Sequence, residues 1–303
     1  MTRSRALVAT QAGFTTLYVS GAAIAYTRLG RPDIGLVSAS EVADTLALIR
    51  DRVDAHLIVD ADTGYGNALN VARTVRCLER SGADAIQLED QDFPKRCGHL
   101  DGKALIPAQE MCGKIRAAVD ARHSPETLII GRTDAVAVEG VEPAIERAGL
   151  YRAAGADVLF VEAPRTRDDL ARVASSLGAG VPLLANMVEG GKTPPLPAAE
   201  LEAIGFSLVI FPGGIVRALA PHRGRVLRIA GRPGHDRAVP LRACSISNEL
   251  NTLIGTPEMV ALGKRYETAG SVRPARARMS AGDMRSTLAG RARPGSSHRR
   301  GRL

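Results

Sequence analysis

The chain has 303 residues, 45% of them hydrophobic and 24% charged, enough for one large core and too apolar for a disordered chain. Aromatic residues make up 3% and Trp is absent, which argues against a nucleic-acid module built on stacking platforms. The formal net charge is +8, yet residues 271–303 hold nine Arg and one Asp, leaving 31 basic and 31 acidic residues before them. The basicity therefore belongs to the tail and implies no specific nucleic-acid partner.

No apolar run approaches the roughly 18 residues of a spanning helix, and the first residues lack the apolar stretch of a signal peptide. The expectation is a cytoplasmic protein with no membrane partner. The four cysteines, Cys77, Cys97, Cys112 and Cys244, show no C-x-x-C pairing and no disulfide framework.

One pattern recurs four times in chain order: a helical stretch, a Gly, then a short apolar strand. It reads QAGFTTLYVS (11–20), SGADAIQLED (81–90), AGADVLFVEA (154–163) and IGFSLVIFP (204–212). The Gly suits a left-handed helix cap and the apolar run a strand buried on both faces. Three further strands fit at 56–62, 127–134 and 181–187, with amphipathic stretches at 70–82, 108–122 and 142–155. Seven strands, each entered from a helix, predict a parallel β/α fold. Polar residues end nearly every strand, which favours a TIM-type barrel over a doubly wound sheet.

Four regions follow: a barrel domain at 1–217, an irregular Arg-, Gly- and Pro-rich segment at 218–247, a helical segment at 248–270, and a disordered basic tail at 271–303.

The strongest local signal is DADTGYG (60–66), where an apolar strand runs into two acids separated by one residue. On a strand, Asp60 and Asp62 point to one side, and converging carboxylates call for a proton or a cation between them. Hard oxygen ligands favour Mg²⁺ or Mn²⁺; the alternative is an Asx turn. Glu89, Asp90, Asp134, Glu162 and Asn186 end other strands, so in a barrel they ring one mouth.

Cations to hold an acidic substrate are available as Lys95, Arg96 and His99 in PKRCGH, Arg132 in GRTD, and Arg217 in FPGGIVR. Arg132 stands out because a lone charge inside an apolar strand is costly, its alternative being an ion pair with Glu162 or Asp134. Cys97 lies in a polar loop among Lys95, Arg96 and His99, surroundings that lower a thiol pKa and suit it to proton transfer. NMVEGGKTP (186–194) lacks P-loop spacing but, at a strand end, places Asn186 and Thr193 as hydrogen-bond donors over a pocket.

YVSG, LGRPDIG, DADTGYGN, QLEDQ, PKRCGH, GRTDA, NMVEGGKTP and ELNTLIGTPE, in this order, resemble the isocitrate lyase and phosphoenolpyruvate mutase superfamily. The short members are the nearest in pattern: 2-methylisocitrate lyase, 2,3-dimethylmalate lyase and carboxyvinyl-carboxyphosphonate phosphonomutase. The resemblance spans about 6–217 and 248–267. It implies a Mg²⁺-dependent (β/α)₈ barrel, normally a homotetramer, acting on a small carboxylate. Family members carry one more strand ahead of YVSG, so here the barrel is expected to lack its first strand.

Carried over by motif, Ser20, Gly21 and Ala22 bind substrate carboxylate, and Asp33, Asp60, Asp62 and Glu89 form the metal site. Cys97 and Gly98 lie on the catalytic loop with Lys95 and His99, while Arg132, Glu162, Asn186, Thr193 and Arg217 line the pocket. The K-x-C-G-H cysteine implies a carbon-carbon lyase that releases a 2-oxo acid, with Cys97 protonating the carbanion. The phosphonomutase and an inactive homologue are the alternatives. Ser247 stands where 2-methylisocitrate lyases carry an arginine, and G-K-T-P leans towards dimethylmalate lyase or the phosphonomutase.

Overall fold

The computed structural model describes residues 3–96, 102–188, 190–212, 215–216 and 256–268. The seven expected strands are all present: β1 (Thr16–Val19), β2 (His56–Asp60), β3 (Ala85–Glu89), β4 (Leu128–Thr133), β5 (Val158–Val161), β6 (Leu184–Asn186) and β7 (Leu208–Ile210). β1 to β5 pair in parallel in chain order, β6 pairs in parallel with β7, and a single parallel bridge between Leu159 and Leu183 links β5 to the strand that follows. The result is a curled half-barrel. Among the described residues no pairing joins β7 to β1. A cleft of about 390 Å³ lies between them, bordered by Phe14, Leu17, Val209 and Phe211.

Around this sheet run α1 (Arg3–Gln11), α2 (Gly21–Ile24), α3 (Ala39–Arg50), α4 (Ala68–Arg80), α5 (Ala108–Ala121), α6 (Val141–Ala153), α7 (Arg167–Leu177) and α8 (Ala198–Ile204). Three of them start on reciprocal caps: Ser38 with Glu41, Asn67 with Asn70, and Thr166 with Asp169. Each pair satisfies backbone N–H groups that the first turn leaves without partners.

The four Gly of the repeated pattern, Gly13, Gly82, Gly155 and Gly205, all have positive φ, from 90° to 122°. After each, the next N–H reaches five residues back: Phe14 to Ala9, Ala83 to Leu78, Ala156 to Tyr151, and Phe206 to Leu201. This hydrogen bond ends the helix and turns the chain into the strand.

Strand alternation sorts the core into two layers. Leu57, Val59, Ile86, Leu88, Ile129 and Leu159 pack outward beneath the helices with Val75, Leu78, Ile115 and Tyr151. Ile58, Ala85, Ile130, Val158, Phe160, Leu184 and Ile210 face inward together. Each fully buried Leu or Ile of this kind contributes about 1.5–3 kcal/mol. One or two steps further along the same inward parity come Asp60, Glu89, Arg132, Asp134, Glu162 and Asn186. The parity that builds the barrel interior therefore also delivers the polar residues to its mouth.

The chain divides into two units, Met1–Ile254 and Gly255–Leu303. In the second, the expected C-terminal helix runs as α9 (Thr256–Thr268). The Arg-, Gly- and Pro-rich segment and the basic tail lie outside the described residues. Among the described residues no helix is long and apolar enough to cross a membrane.

Candidate active site

The mouth is built first on the turn after β2. Asp60 closes that strand facing inward, and its Oδ1 accepts the N–H of Asp62 at 3.2 Å. This is the Asx-type contact weighed as the alternative reading of DADTGYG, and it coexists with convergence of the two acids. Asp62 itself lies beyond the strand with φ 48°, so turn geometry, not strand alternation, aims its side chain. The turn is held from behind by Lys114 Nζ on the Thr63 carbonyl and by the Glu89 N–H on the Asp62 carbonyl.

Both acids crowd the backbone of Gly21. Its N–H donates to Asp60 Oδ2 at 3.1 Å, and a Cβ there would stand 3.0 Å from Asp62 Oδ1 and 3.3 Å from Asp60 Oδ2. The neighbouring Ser20 caps α2 through the Ala23 N–H and is buried, while Ala22 is half-buried one residue past the glycine.

Lys95 enters from the loop after β3, with Nζ 2.6 Å from Asp33 Oδ1 and 2.8 Å from Asp62 Oδ1. Burial alone would lower its pKa, but Asp62, Glu89, Asp60 and Asp33 together hold it well above the usual lysine value. The ammonium is thus committed to these carboxylates. The loop legs are paired by Asp92 N–H on the Ala104 carbonyl and Ile106 N–H on the Asp90 carbonyl, and the Gln91 amide bonds both backbone groups of Arg96. Cys97, Gly98 and His99 in this loop, and Arg217, lie outside the described residues.

On the opposite side Arg132 is buried, with Nε 2.9 Å and Nη2 3.1 Å from the two oxygens of Asp134. Glu89 is 3.4 Å and Glu162 3.8 Å away, and the guanidinium stacks over Phe160 at 5.0 Å. Both ion pairs weighed from sequence are therefore present. Asn186 Nδ2 donates to the Glu162 carboxylate at 3.2 and 3.3 Å. Thr193 is buried nearby in chain order, its hydroxyl without a hydrogen-bond partner among the described residues.

Sequence reasoning passed over Gln87. It is fully buried, accepts from Tyr18 at 2.7 Å and donates to Asp60 Oδ1 at 3.2 Å. An amide in the middle of the apolar run AIQLE was the available signal. Lys103 was also missed; its Nζ is 2.7 Å from Asp134.

Six buried carboxylates, Asp33, Asp60, Asp62, Glu89, Asp134 and Glu162, share this mouth with three cations, Lys95, Lys103 and Arg132. Among the described residues this leaves three more negative than positive side chains. Burial, reinforced by Asp60 and Asp33 against the pull of Lys95, pushes Asp62 up to about 7. Burial raises Glu89 well above the carboxylate range despite Arg132.

A divalent cation suits this donor set. Glu89 Oε1 and Asn186 Oδ1 are buried oxygens with no hydrogen-bond partner among the described residues. No three acids among the described residues stand close enough to fill an inner shell unaided. Mg²⁺, which keeps several waters and takes one or two carboxylates directly, tolerates such a site better than zinc does.

A parallel β/α half-barrel that gathers buried acids and a buried arginine at one mouth defines a class: an enzyme of the β/α-barrel type. Residues 3–228 match the phosphoenolpyruvate phosphomutase family, and the chain belongs to it. It is 51% identical over 223 residues to 2-methylisocitrate lyase of Aeropyrum pernix, covering 74% of this chain and 71% of that one. To 2,3-dimethylmalate lyase of Eubacterium barkeri it is 44% identical over 200 residues, 66% of this chain and 68% of the relative.

Among solved structures, a 2,3-dimethylmalate lyase described as a PEP mutase/isocitrate lyase superfamily member superposes with TM-score 0.78 at 36% identity, covering 90% and 91% of the two chains. A phosphonopyruvate hydrolase in complex with oxalate and Mg²⁺ superposes with TM-score 0.73 at 30% identity, covering 88% and 91%. The chain is an enzyme of this carbon-carbon lyase and mutase superfamily.

Proposed function

We propose that the protein is a Mg²⁺-dependent carbon-carbon lyase that cleaves a substituted malate or a methylisocitrate-like acid into a 2-oxo acid, pyruvate, and a second carboxylate. The observation that carries this reading is the pairing, across one mouth, of the crowded acids Asp60, Asp62 and Glu89 with the bidentately held Arg132. One side suits a cation and the 2-oxo acid end of a substrate; the other suits a carboxylate.

Asp60, Asp62, Glu89 and Asp33 would hold the metal partly through water, Asp33 being joined to Asp62 by Lys95. When bound, the ion supplies Lewis-acid polarisation of the 2-oxo acid oxygens. The Gly21 backbone, lacking a Cβ, leaves room for a ligand beside the acids. Ser20, Gly21 and Ala22 orient one carboxylate, and Arg132, Asn186, Thr193 and Arg217 the remainder.

Loss of the substrate hydroxyl proton turns that carbon into a 2-oxo group as the adjacent carbon-carbon bond breaks. The electron pair stays on the carbon next to the second carboxylate and takes the proton of the Cys97 thiol; the hydroxyl proton leaves to solvent, from which the thiolate regains one. Lys95 and His99 flank this step. The homotetramer implied by the resemblance is part of the same proposal.

The test is Mg²⁺-dependent pyruvate release from a panel containing 2,3-dimethylmalate and 2-methylisocitrate, with Cys97→Ser as control. Release abolished by EDTA and by the substitution is the expected result. No release from a folded protein that binds Mg²⁺ would defeat the lyase reading and favour phosphonomutase chemistry.

A further inference from the structure

Asp134 sits at the junction of two buried cations that come from different parts of the chain. Its two oxygens take Arg132 Nε and Nη2 at 2.9 and 3.1 Å, and Oδ1 also takes Lys103 Nζ at 2.7 Å. Side-chain exposure is 0% for Asp134 and 1% for Lys103. Burial by itself would raise its pKa, but Arg132 and Lys103 hold its carboxyl well below the usual range.

Behind Asp134 stands a second acid with no exit to solvent. Asp90 accepts the Asp134 N–H at 2.9 Å, the Thr133 hydroxyl at 2.7 Å and the Tyr151 hydroxyl at 2.7 Å. The Asp90 carbonyl also receives the Ile106 N–H, and Arg147 bonds the Ile106 carbonyl while chelating Glu139. One network thus fixes the ends of β3 and β4, the return leg of the loop through Lys103, and the outer helix α6. Among the described residues it bears on the mouth through the Arg132 guanidinium, which Asp134 holds by two bonds.

We propose that Asp134 is a positioning residue: backed by Asp90, it holds the Arg132 guanidinium in the orientation that receives a substrate carboxylate, and through Lys103 it ties that orientation to the loop after β3. A free arginine side chain would lose rotamer entropy on binding, whereas a guanidinium already held by two bonds meets the substrate with that cost prepaid by folding. Lysine in its place would have one point of attachment and no fork. The inference rests on the proposal that this pocket binds a Mg²⁺-held carboxylate.

The experiment is a double-mutant cycle of Asp134→Asn and Arg132→Lys in the full chain. The readouts are oxalate affinity by calorimetry in excess Mg²⁺, KM and kcat on whichever acid the wild type cleaves, and the thermal midpoint. Asp134→Asn is expected to weaken oxalate and raise KM about 10- to 100-fold, with a smaller change in kcat. The double variant is expected to bind within about threefold of Arg132→Lys alone, because two residues acting through one group are not additive.

If Asp134→Asn does not fold, the charge-balanced pair Asp134→Asn with Lys103→Met, which strands no ammonium, replaces it with the same expectation. Additive losses, unchanged oxalate affinity, or failure of both variants to fold would overturn the positioning role. A wild type that binds no oxalate with Mg²⁺ would instead defeat the proposed function, so the two failures are told apart.

Discussion

Asp84 and Asp157 hold the same position in two α-to-β steps. Each follows the glycine cap and the alanine after it, accepts the first free N–H of the preceding strand, Leu57 at 2.7 Å and Ile129 at 2.8 Å, and pairs with an arginine from the preceding helix end, Arg50 and Arg122. The acid staples the lower end of its own strand to that of its neighbour, opposite to the end where the site opens. Alanine at either position should leave a strand N–H without its acceptor and an arginine without its carboxylate partner, bonded to backbone carbonyls alone. The expected cost is about 1–3 kcal/mol, larger at Asp157, whose side chain is 28% exposed against 43% for Asp84. Urea unfolding of the two variants checks the order, with catalysis unchanged in both.

At Gly21 the expectation is reversed: function suffers and stability does not. Alanine is the better helix former by about 1 kcal/mol, but its Cβ would press on the oxygens of Asp62 and Asp60 at 3.0 and 3.3 Å. Gly21→Ala should weaken Mg²⁺ binding about tenfold or more while the thermal midpoint stays level. A metal titration by calorimetry decides it.

Lys95→Met removes the ammonium that Asp33 and Asp62 share. The buried acids then lack their cation, so the metal-free protein should lose about 3–5 kcal/mol, as for other broken buried pairs. Added Mg²⁺ should restore more stability to this variant than to the wild type, since it replaces a missing charge. Thermal midpoints in EDTA and in excess Mg²⁺ give both numbers, and pyruvate release should be lost.

Glu79, near the end of α4, collects the N–H groups of His123 and Ser124 at 2.7 Å each and the Thr127 hydroxyl at 2.9 Å. Burial opposes its ionisation, but these three donors outweigh burial and lower its pKa. A carboxylate whose folded value is depressed contributes stability above its unfolded pKa of about 4.3, and that stability is lost as pH falls through the folded value. Glu79→Gln should cost about 1 kcal/mol at pH 7 and nearly nothing near pH 2. A gap that persists in acid would contradict the charge-based account.

The α-to-β rhythm was legible because its cause is local. A glycine that must take positive φ, followed by an apolar run, announces a helix end and a strand wherever it falls, and all four copies form the same cap. The acids at strand ends were equally legible, since period-two alternation carries each from an apolar interior to a polar mouth. Their shared direction followed from the residues alone for Asp60 and Glu89. For Asp62 it did not, because a turn with φ 48° sets its aim.

What the residues alone left open was pairing. Arg132 had Glu162 and Asp134 as equal candidates in the linear chain; the barrel gives it Asp134 at hydrogen-bond distance and leaves Glu162 and Glu89 further off. Lys95 read as a neighbour of Cys97, yet its four-carbon stem reaches across the mouth to Asp33 and Asp62. Lys103, Gln87 and Asp90 acquire their places only when strands far apart in sequence lie side by side. Local backbone preference and hydrophobic periodicity are written in short windows and determine the elements and the face each residue takes. Which charges meet inside the mouth depends on distances across the curled sheet, and only the tertiary structure decides those.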